Sequence, residues 1–344
     1  MMTTDSHAGW PAARLGSTDM EITRVGFGAW AIGGAGWAYS WGGQDDDESV
    51  AAIRHCVERG VNWIDTAAVY GLGHSEEVVA RALTDLPAAD RPLVFTKCGL
   101  VWDEANPSAP PRRVGAPESI RREADASLRR LGVERIDLFQ LHWPPEDGTP
   151  VEESVAALHE LRAAGKVRAI GVSNFDVGLL ERAASAGGVD TLQPPFSAVN
   201  RAAAAEILPY CAKNDIGVIV YSPMQSGLLS GSWTAARSAG LADDDWRARA
   251  PDFASPALER NLALADALRT VADRHSVSVA AAAVAWTLAF DGVTGAIVGA
   301  RRPDQVDGWL AAAGLRLTED DLATVAATIE TTGAGTGPAR PVIA

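Results

Sequence analysis

Eight short apolar runs, each followed by a longer stretch of helical period, constrain this chain more than any other feature of its sequence. The runs are residues 25–30, 62–67, 93–99, 136–143, 167–174, 191–197, 217–224 and 295–300. Between them Val50, Ile53 and Val57, then Ile120, Ala124, Leu128 and Leu131, then Val151, Val155, Leu158 and Leu161 recur at spacings that place each set on one helix face. Runs such as LVFTKCG and GVIVYSPM are apolar almost throughout, as strands covered on both faces must be. Strand and helix alternating in this way predict an α/β fold, a closed (β/α)8 TIM barrel in one domain over residues 14–330. An open doubly wound sheet is the alternative.

The ends carry their own signals. Residues 14–25, with Met20 and Ile22 near a Gly-Ser-Thr-Asp turn, predict an N-terminal hairpin. Thr318 as N-cap, followed by Glu-Asp-Asp, predicts an extra C-terminal helix over 318–330. Residues 1–13 and 331–344 read as flexible ends. Two connections, 100–115 and 225–256, exceed ordinary loop length, and both follow strand ends, the face on which barrels of this kind carry their sites.

Composition narrows the class of partner. With 30 Lys+Arg against 44 Asp+Glu the net charge is −14, which disfavours nucleic acid and anionic membrane surfaces. The most apolar stretch, 277–290, falls short of a membrane span of roughly 20 residues, and the first residues show no apolar signal core, so a cytoplasmic location is expected. Cys56, Cys98 and Cys211 are odd in number and widely spaced, which indicates neither a disulfide framework nor a zinc site. Only three of the cationic residues are lysines, Lys97, Lys166 and Lys213.

Familiar motifs fail on context. Gly26-Phe-Gly28-Ala-Trp-Ala31 satisfies a dinucleotide fingerprint on paper, but that motif requires a helix directly after it, and IGGAGWAYSWGG cannot supply one. These glycines read instead as a strand end turning closely against a ligand or neighbour. Gly165-Lys166-Val167 lacks the rest of a P-loop and His159-Glu160 lacks a second His, so no metal site is expected.

Four residues at strand ends form the informative set. Asp65 closes Asn62-Trp-Ile-Asp, Tyr70 follows it by five residues, Lys97 sits inside the third run, and His142 ends the fourth. Each alone has an ordinary structural explanation: a cap, a packing aromatic, a core histidine. A lysine in a strand buried on both faces is costly unless paired, and Asp65 is the evident partner. In a barrel the four converge on the C-terminal face. Lys97 would then favour the phenolate of Tyr70, Asp65 would hold the ammonium, and His142 would direct a carbonyl oxygen that Tyr70 protonates as general acid.

Asp65-Thr-Ala-x-x-Tyr70-Gly-x-Gly-x-Ser75-Glu76, Thr96-Lys97, Leu141-His142, Gly171-Val-Ser173-Asn174-Phe, Gln193 and Tyr221-Ser-Pro resemble, in order, the motifs of the aldo-keto reductases. The resemblance implies a (β/α)8 barrel that uses NADPH, with NADH also possible, on a small-molecule carbonyl substrate without metal, its tetrad at Asp65, Tyr70, Lys97 and His142. It implies that Ser173, Asn174 and Gln193 hold the nicotinamide carboxamide and that Tyr221 stacks on the ring. Ser222, Pro223, Met224, Gln225, Ser226 and Leu228 resemble the loop that approaches the pyrophosphate. Gly28, Ala29 and Trp30, at the first strand end, also fall to the cofactor. Gly299, Arg301 and Gln305 resemble the adenosine site, Arg301 reading a 2′-phosphate. Gly308-Trp309 departs from the Glu-Asn often found there, which leaves adenine either against the Trp309 ring or in a looser site.

Trp30 and Trp143 are expected to wall the substrate pocket, with Trp37, Trp41 and Trp102 nearby. The leading expectation is an NADPH-dependent reductase of aldehydes, ketones or ketosugars. Its alternatives are a cofactor-sensing subunit with little turnover and a dehydrogenase working toward alcohol or sugar oxidation; monomer and homo-oligomer stay open.

Overall fold

A computed structural model describes residues 9–242 and 245–341. Eight parallel strands close on themselves in sequence order: β1 (Val25–Gly28), β2 (Trp63–Asp65), β3 (Leu93–Cys98), β4 (Ile136–Leu141), β5 (Val167–Ser173), β6 (Thr191–Gln193), β7 (Gly217–Val220) and β8 (Gly295–Gly299). Pairing of β8 with β1, Gly299 opposite Gly28, completes the ring. The expected closed barrel is thus formed, and every observed strand lies inside its expected run. The runs overshoot at their C-terminal ends because the residues that continue past the last ladder hydrogen bond form the upper rim.

Around the ring lie α1 (Asp46–Glu58), α2 (His74–Thr84), α3 (Pro117–Leu131), α4 (Val151–Ala163), α5 (Val177–Ser185), α6 (Ile207–Lys213), α7 (Ala257–His275), α8 (Val279–Leu288), α9 (Pro303–Leu310) and α10 (Glu319–Thr332). Their apolar stripes pack on the outer face of the strands, Ile53, Ile120, Leu131, Val155 and Leu158 all being fully buried there. The helix ends are capped, Thr318 as expected. Gly132 ends α3 in the left-handed region at φ 65°, and Thr318 with Asp321 forms a reciprocal capping box on α10.

Inside the lower barrel Trp63, Phe95, Leu138, Ala169, Ile219 and Ile297 make a second apolar cluster, closed from below by Leu15, Met20 and Ile22 of the N-terminal hairpin. Trp63 explains Gly26: a Cβ there would stand 2.2 Å from the indole. A Cβ at Gly28 would stand 2.7 Å from Ile297. The neighbour these glycines accommodate is therefore the barrel's own interior, and only a 3-10 turn, Trp30–Ile32, follows them.

The described residues near both ends make contacts with the barrel body. The hairpin pairs Ala12–Arg14 with Glu21–Thr23, and the Trp10 indole donates to the Arg59 carbonyl; residues 1–8 of the expected flexible N-terminus lie outside the described residues. At the other end Arg201 donates to the carbonyls of Ala334, Gly337 and Pro338 at 3.1–3.3 Å, and its own N–H donates to Thr336. A buried cation needs such oxygens when no carboxylate among the described residues reaches it; residues 342–344 of the tail expected to be flexible lie outside the described residues.

Candidate active site

Asp65 ends β2, and the chain then turns through Ala67, Ala68 and Val69 into a 3-10 segment that begins at Tyr70. Gly71 permits this turn: it has φ 60°, and a Cβ would meet the Gly33 carbonyl at 2.0 Å. Lys97 projects from β3, one strand over, and His142 follows the end of β4. Consecutive strands of a parallel barrel deliver their ends to one rim, which is why residues 32 and 45 positions apart meet.

Lys97 Nζ donates to Asp65 Oδ2 at 2.5 Å, to the Thr66 carbonyl at 2.9 Å and to the Tyr70 hydroxyl at 3.3 Å. The Tyr70 and His142 rings meet edge to face, centroids 5.7 Å apart. All four residues are thereby brought together. Lys97 and Asp65 are 1% and 2% exposed, so the ion pair lies beneath the phenol rather than in solvent.

The direction of tuning differs from expectation. Burial, and after it the Asp65 carboxylate, push the Tyr70 phenol above its usual range, so in the resting site Tyr70 keeps its proton. Burial also pulls the Lys97 ammonium down, against the attraction of Asp65. His142 is driven well below the usual histidine range by burial and then by Lys97, which leaves it a neutral imidazole. Desolvation outweighs the nearby cation for the phenol because Asp65 offsets much of the charge of Lys97.

Polar residues extend this set outward. Gln193 Nε2 donates to Asp65 Oδ1 at 2.9 Å and to Gln140 Oε1 at 3.2 Å. Asn174 Nδ2 donates to the His142 carbonyl at 3.0 Å, while its Oδ1 accepts from the Tyr221 hydroxyl at 2.8 Å. Gln140 was not anticipated; its only sign in the sequence is one amide in an otherwise apolar strand.

Above these residues opens a cavity of about 900 Å³ that runs from Tyr70, His142 and Trp143 across the rim to Arg301 and Trp309. Gly28, Ala29, Trp30, Asn174, Gln193, Tyr221, Ser222, Pro223, Met224, Ser226, Gly299 and Gln305 line it. Three expected contacts are placed elsewhere. Ser173 is buried one layer back, its hydroxyl donating to the Gln193 carbonyl. The Gln225 amide is engaged by Ser197 and Asp252. Leu228 packs with Trp233, Phe253 and Leu258 in a separate apolar cluster.

The two long connections supply walls that sequence reasoning left unassigned. Leu100–Val101 and Arg112–Arg113 pair as a small sheet, which sets the Arg113 guanidinium 4.2 Å over the Trp143 ring. In the connection after β7, whose residues 243–244 lie outside the described residues, Trp246 stacks on Trp30 at 6.2 Å. Arg247 lies 4.9 Å over Trp41, donates to the Ser226 carbonyl and pairs with Asp245. The dipeptide Trp246-Arg247 in a loop otherwise rich in small residues is the signal that could have found this wall.

A nicotinamide dinucleotide fits the cavity. Gly28, Gly299 and Trp309 belong to its lining, and among the described residues the buried Trp309 Nε1 has no hydrogen-bond partner. Among the described residues no cluster of three or more His, Cys, Asp or Glu is placed to hold a metal ion, and no helix is long and apolar enough to cross a membrane.

Comparison with known proteins agrees with this geometry. Residues 24–330 match the aldo/keto reductase family. An aldo-keto reductase of Bacillus subtilis, YhdN, is 34% identical over 92% of this chain and 93% of its own length. An NADH-specific methylglyoxal reductase of Escherichia coli is 36% identical over 89% of this chain and 94% of its own. Among solved structures, a glycerol dehydrogenase of Gluconobacter oxydans superposes with a TM-score of 0.86 at 39% identity, covering 97% of this chain and 98% of that one.

Proposed function

The chain belongs to the aldo/keto reductase family, and from that premise we propose that it is an NADPH-dependent reductase of aldehydes, ketones or ketosugars with Tyr70 as general acid. That it is an oxidoreductase acting on carbonyl or alcohol groups follows from its relatives. The single observation that carries the finer reading is the Lys97 ammonium held between Asp65 Oδ2 and the Tyr70 hydroxyl, behind the phenol that lines the cavity.

A bound nicotinamide cofactor supplies the hydride that reduces the carbonyl carbon. Tyr70 supplies the proton to the carbonyl oxygen, and the alcohol leaves. A buried phenol holds its proton until a developing alkoxide requires it. Once the proton has gone, the phenolate lies 3.3 Å from the Lys97 ammonium, so the cation stabilises the product side of the transfer more than the resting side. His142, neutral beside Tyr70, donates a hydrogen bond to the same oxygen and orients it. Asp65 keeps Lys97 in place and charged.

Gln193 and Asn174 are the cofactor carboxamide's partners in this reading, Tyr221 its stacking face, and Arg301 the reader of a 2′-phosphate. Trp30 and Trp143 form the substrate walls. The glycerol dehydrogenase likeness favours a second reading, in which the same residues run the reaction from alcohol to carbonyl with Tyr70 as base. Purified protein incubated with aldehydes, ketones and polyols, with NADPH, NADH or their oxidised forms, tests both. Carbonyl-dependent NADPH consumption is the expected outcome; no turnover in either direction overturns the assignment.

A further inference from the structure

We infer that Gln44 sets how strongly this protein distinguishes a cofactor bearing a 2′-phosphate from one without it, by occupying the edge of Arg301 that the phosphate would grip. The inference rests on the reading of the cavity as a nicotinamide dinucleotide site. Gln44 lies between β1 and α1, 257 positions from Arg301, and its sequence surroundings do not connect it with the last strand. In the folded chain Gln44 Oε1 accepts from Arg301 Nε, and the adjacent Gly43 carbonyl accepts from Arg301 Nη2. In return Gln44 Nε2 donates to the Arg301 carbonyl at 3.0 Å. The same amide nitrogen reaches Ser49 Oγ at 3.0 Å and the Asp45 carbonyl at 3.2 Å, which braces it against the start of α1.

A guanidinium offers a phosphate two bidentate edges, Nε with Nη2 and Nη1 with Nη2. Here the first is filled by two neutral oxygens of the protein. Two neighbouring donors of this corner are engaged too. The Arg301 backbone N–H donates to Gln305 Oε1 at 2.7 Å, and Arg302 is paired with Asp304 in the first turn of α9. A 2′-phosphate reaching Arg301 must therefore displace Gln44 or accept the remaining edge. A cofactor ending in a 2′-hydroxyl faces no such competition. A neutral carboxamide yields more readily than a carboxylate, so Gln44 lowers the preference for the phosphorylated cofactor without abolishing it.

Equilibrium titration of NADPH and NADH, read by quenching of tryptophan fluorescence on the full chain, tests this with four variants. Gln44→Ala should tighten NADPH by about 3–10-fold and shift NADH less than about 2-fold, whereas Gln44→Glu, whose carboxylate pairs with Arg301, should weaken NADPH by about 10-fold or more. Arg301→Ala should remove the difference between the cofactors, and adding Gln44→Ala to it should change neither. Weaker NADPH binding by Gln44→Ala overturns the inference, because Gln44 would then be orienting Arg301 for the phosphate. An unchanged cofactor ratio in both Gln44 variants overturns it as well. If the wild type still reduces carbonyls in either case, the failure lies in the role of Gln44 and not in the active-site reading; wild-type protein that binds neither cofactor refutes both.

Discussion

Replacing Lys97 by Met removes the cation while keeping most of the side chain's volume, and the structure sets the size of the effect. A unit charge 3.3 Å from the Tyr70 oxygen is worth about 5 kcal/mol at an effective dielectric constant of about 20. If half the proton has left Tyr70 in the transition state, about half of that energy is lost, a fall in kcat of roughly 10²-fold; full transfer raises the loss to a few times 10³. Lys97 lies behind the phenol and outside the cavity lining, so cofactor Kd should move less than about 3-fold. Met leaves the Asp65 carboxylate without its cation, a change that destabilises buried pairs by about 3–5 kcal/mol. Circular dichroism melts therefore accompany the kinetics, and the double variant Lys97→Met/Asp65→Asn serves as the stability control. Steady-state rates of carbonyl-dependent NADPH consumption decide the matter: a folded Lys97→Met protein retaining kcat within about 10-fold of wild type refutes the role given to the ammonium.

Other consequences are open to direct measurement. Because Tyr70 is pushed up and His142 pushed down, kcat/KM for reduction should stay flat from about pH 6 to about pH 9, and an inflection near neutrality would show that His142 titrates. Trp143→Ala should raise KM for bulky carbonyls several-fold while leaving cofactor Kd unchanged, as substrate-series kinetics would show. Burial raises the Asp321 carboxyl, but hydrogen bonds from His275, Thr318 and Arg274 outweigh it and leave it below the usual range. Its stabilisation is complete above the unfolded value near pH ~4 and is lost as pH falls through the folded one. Asp321→Asn, which also breaks the α10 capping box, should thus lower Tm at pH 7 by about 2–4 °C, a difference that shrinks in acid; an equal shift at pH 3 and pH 7 contradicts the linkage. Arg201→Met should free residues 334–338 and expose them to limited proteolysis at protein concentrations where the wild type resists.

Much of this molecule was legible because its information is local and periodic. Strand runs, helical stripes and caps are written in neighbouring residues, and Lys97 stood out because an ammonium in a doubly covered strand demands a partner. What stayed illegible depends on long-range meetings. Nothing near Gln44 indicates Arg301, nothing in Arg201 indicates the tail carbonyls, and Gln140 is one amide whose partner, Gln193, comes from a strand far along the chain. Residue type misled in one place: a lysine beside a tyrosine suggests a lowered phenol pKa, but desolvation and Asp65 reverse the sign. Leu228 and Gln225 were assigned by motif position, yet the left-handed backbone at Gln225 and Ser226 belongs to a turn that sends both side chains into the protein.

The central claim is that Tyr70 delivers the proton to a carbonyl oxygen at this site. Tyr70→Phe keeps the ring in the cavity wall and removes only the hydroxyl, and its comparison with wild type in carbonyl-dependent NADPH oxidation, paired with an NADPH fluorescence titration on the same samples, is the most direct test. Turnover should fall by at least about 10³-fold with cofactor Kd within about 2-fold of wild type. Turnover retained near the wild-type level by a cofactor-binding Tyr70→Phe protein would contradict the account.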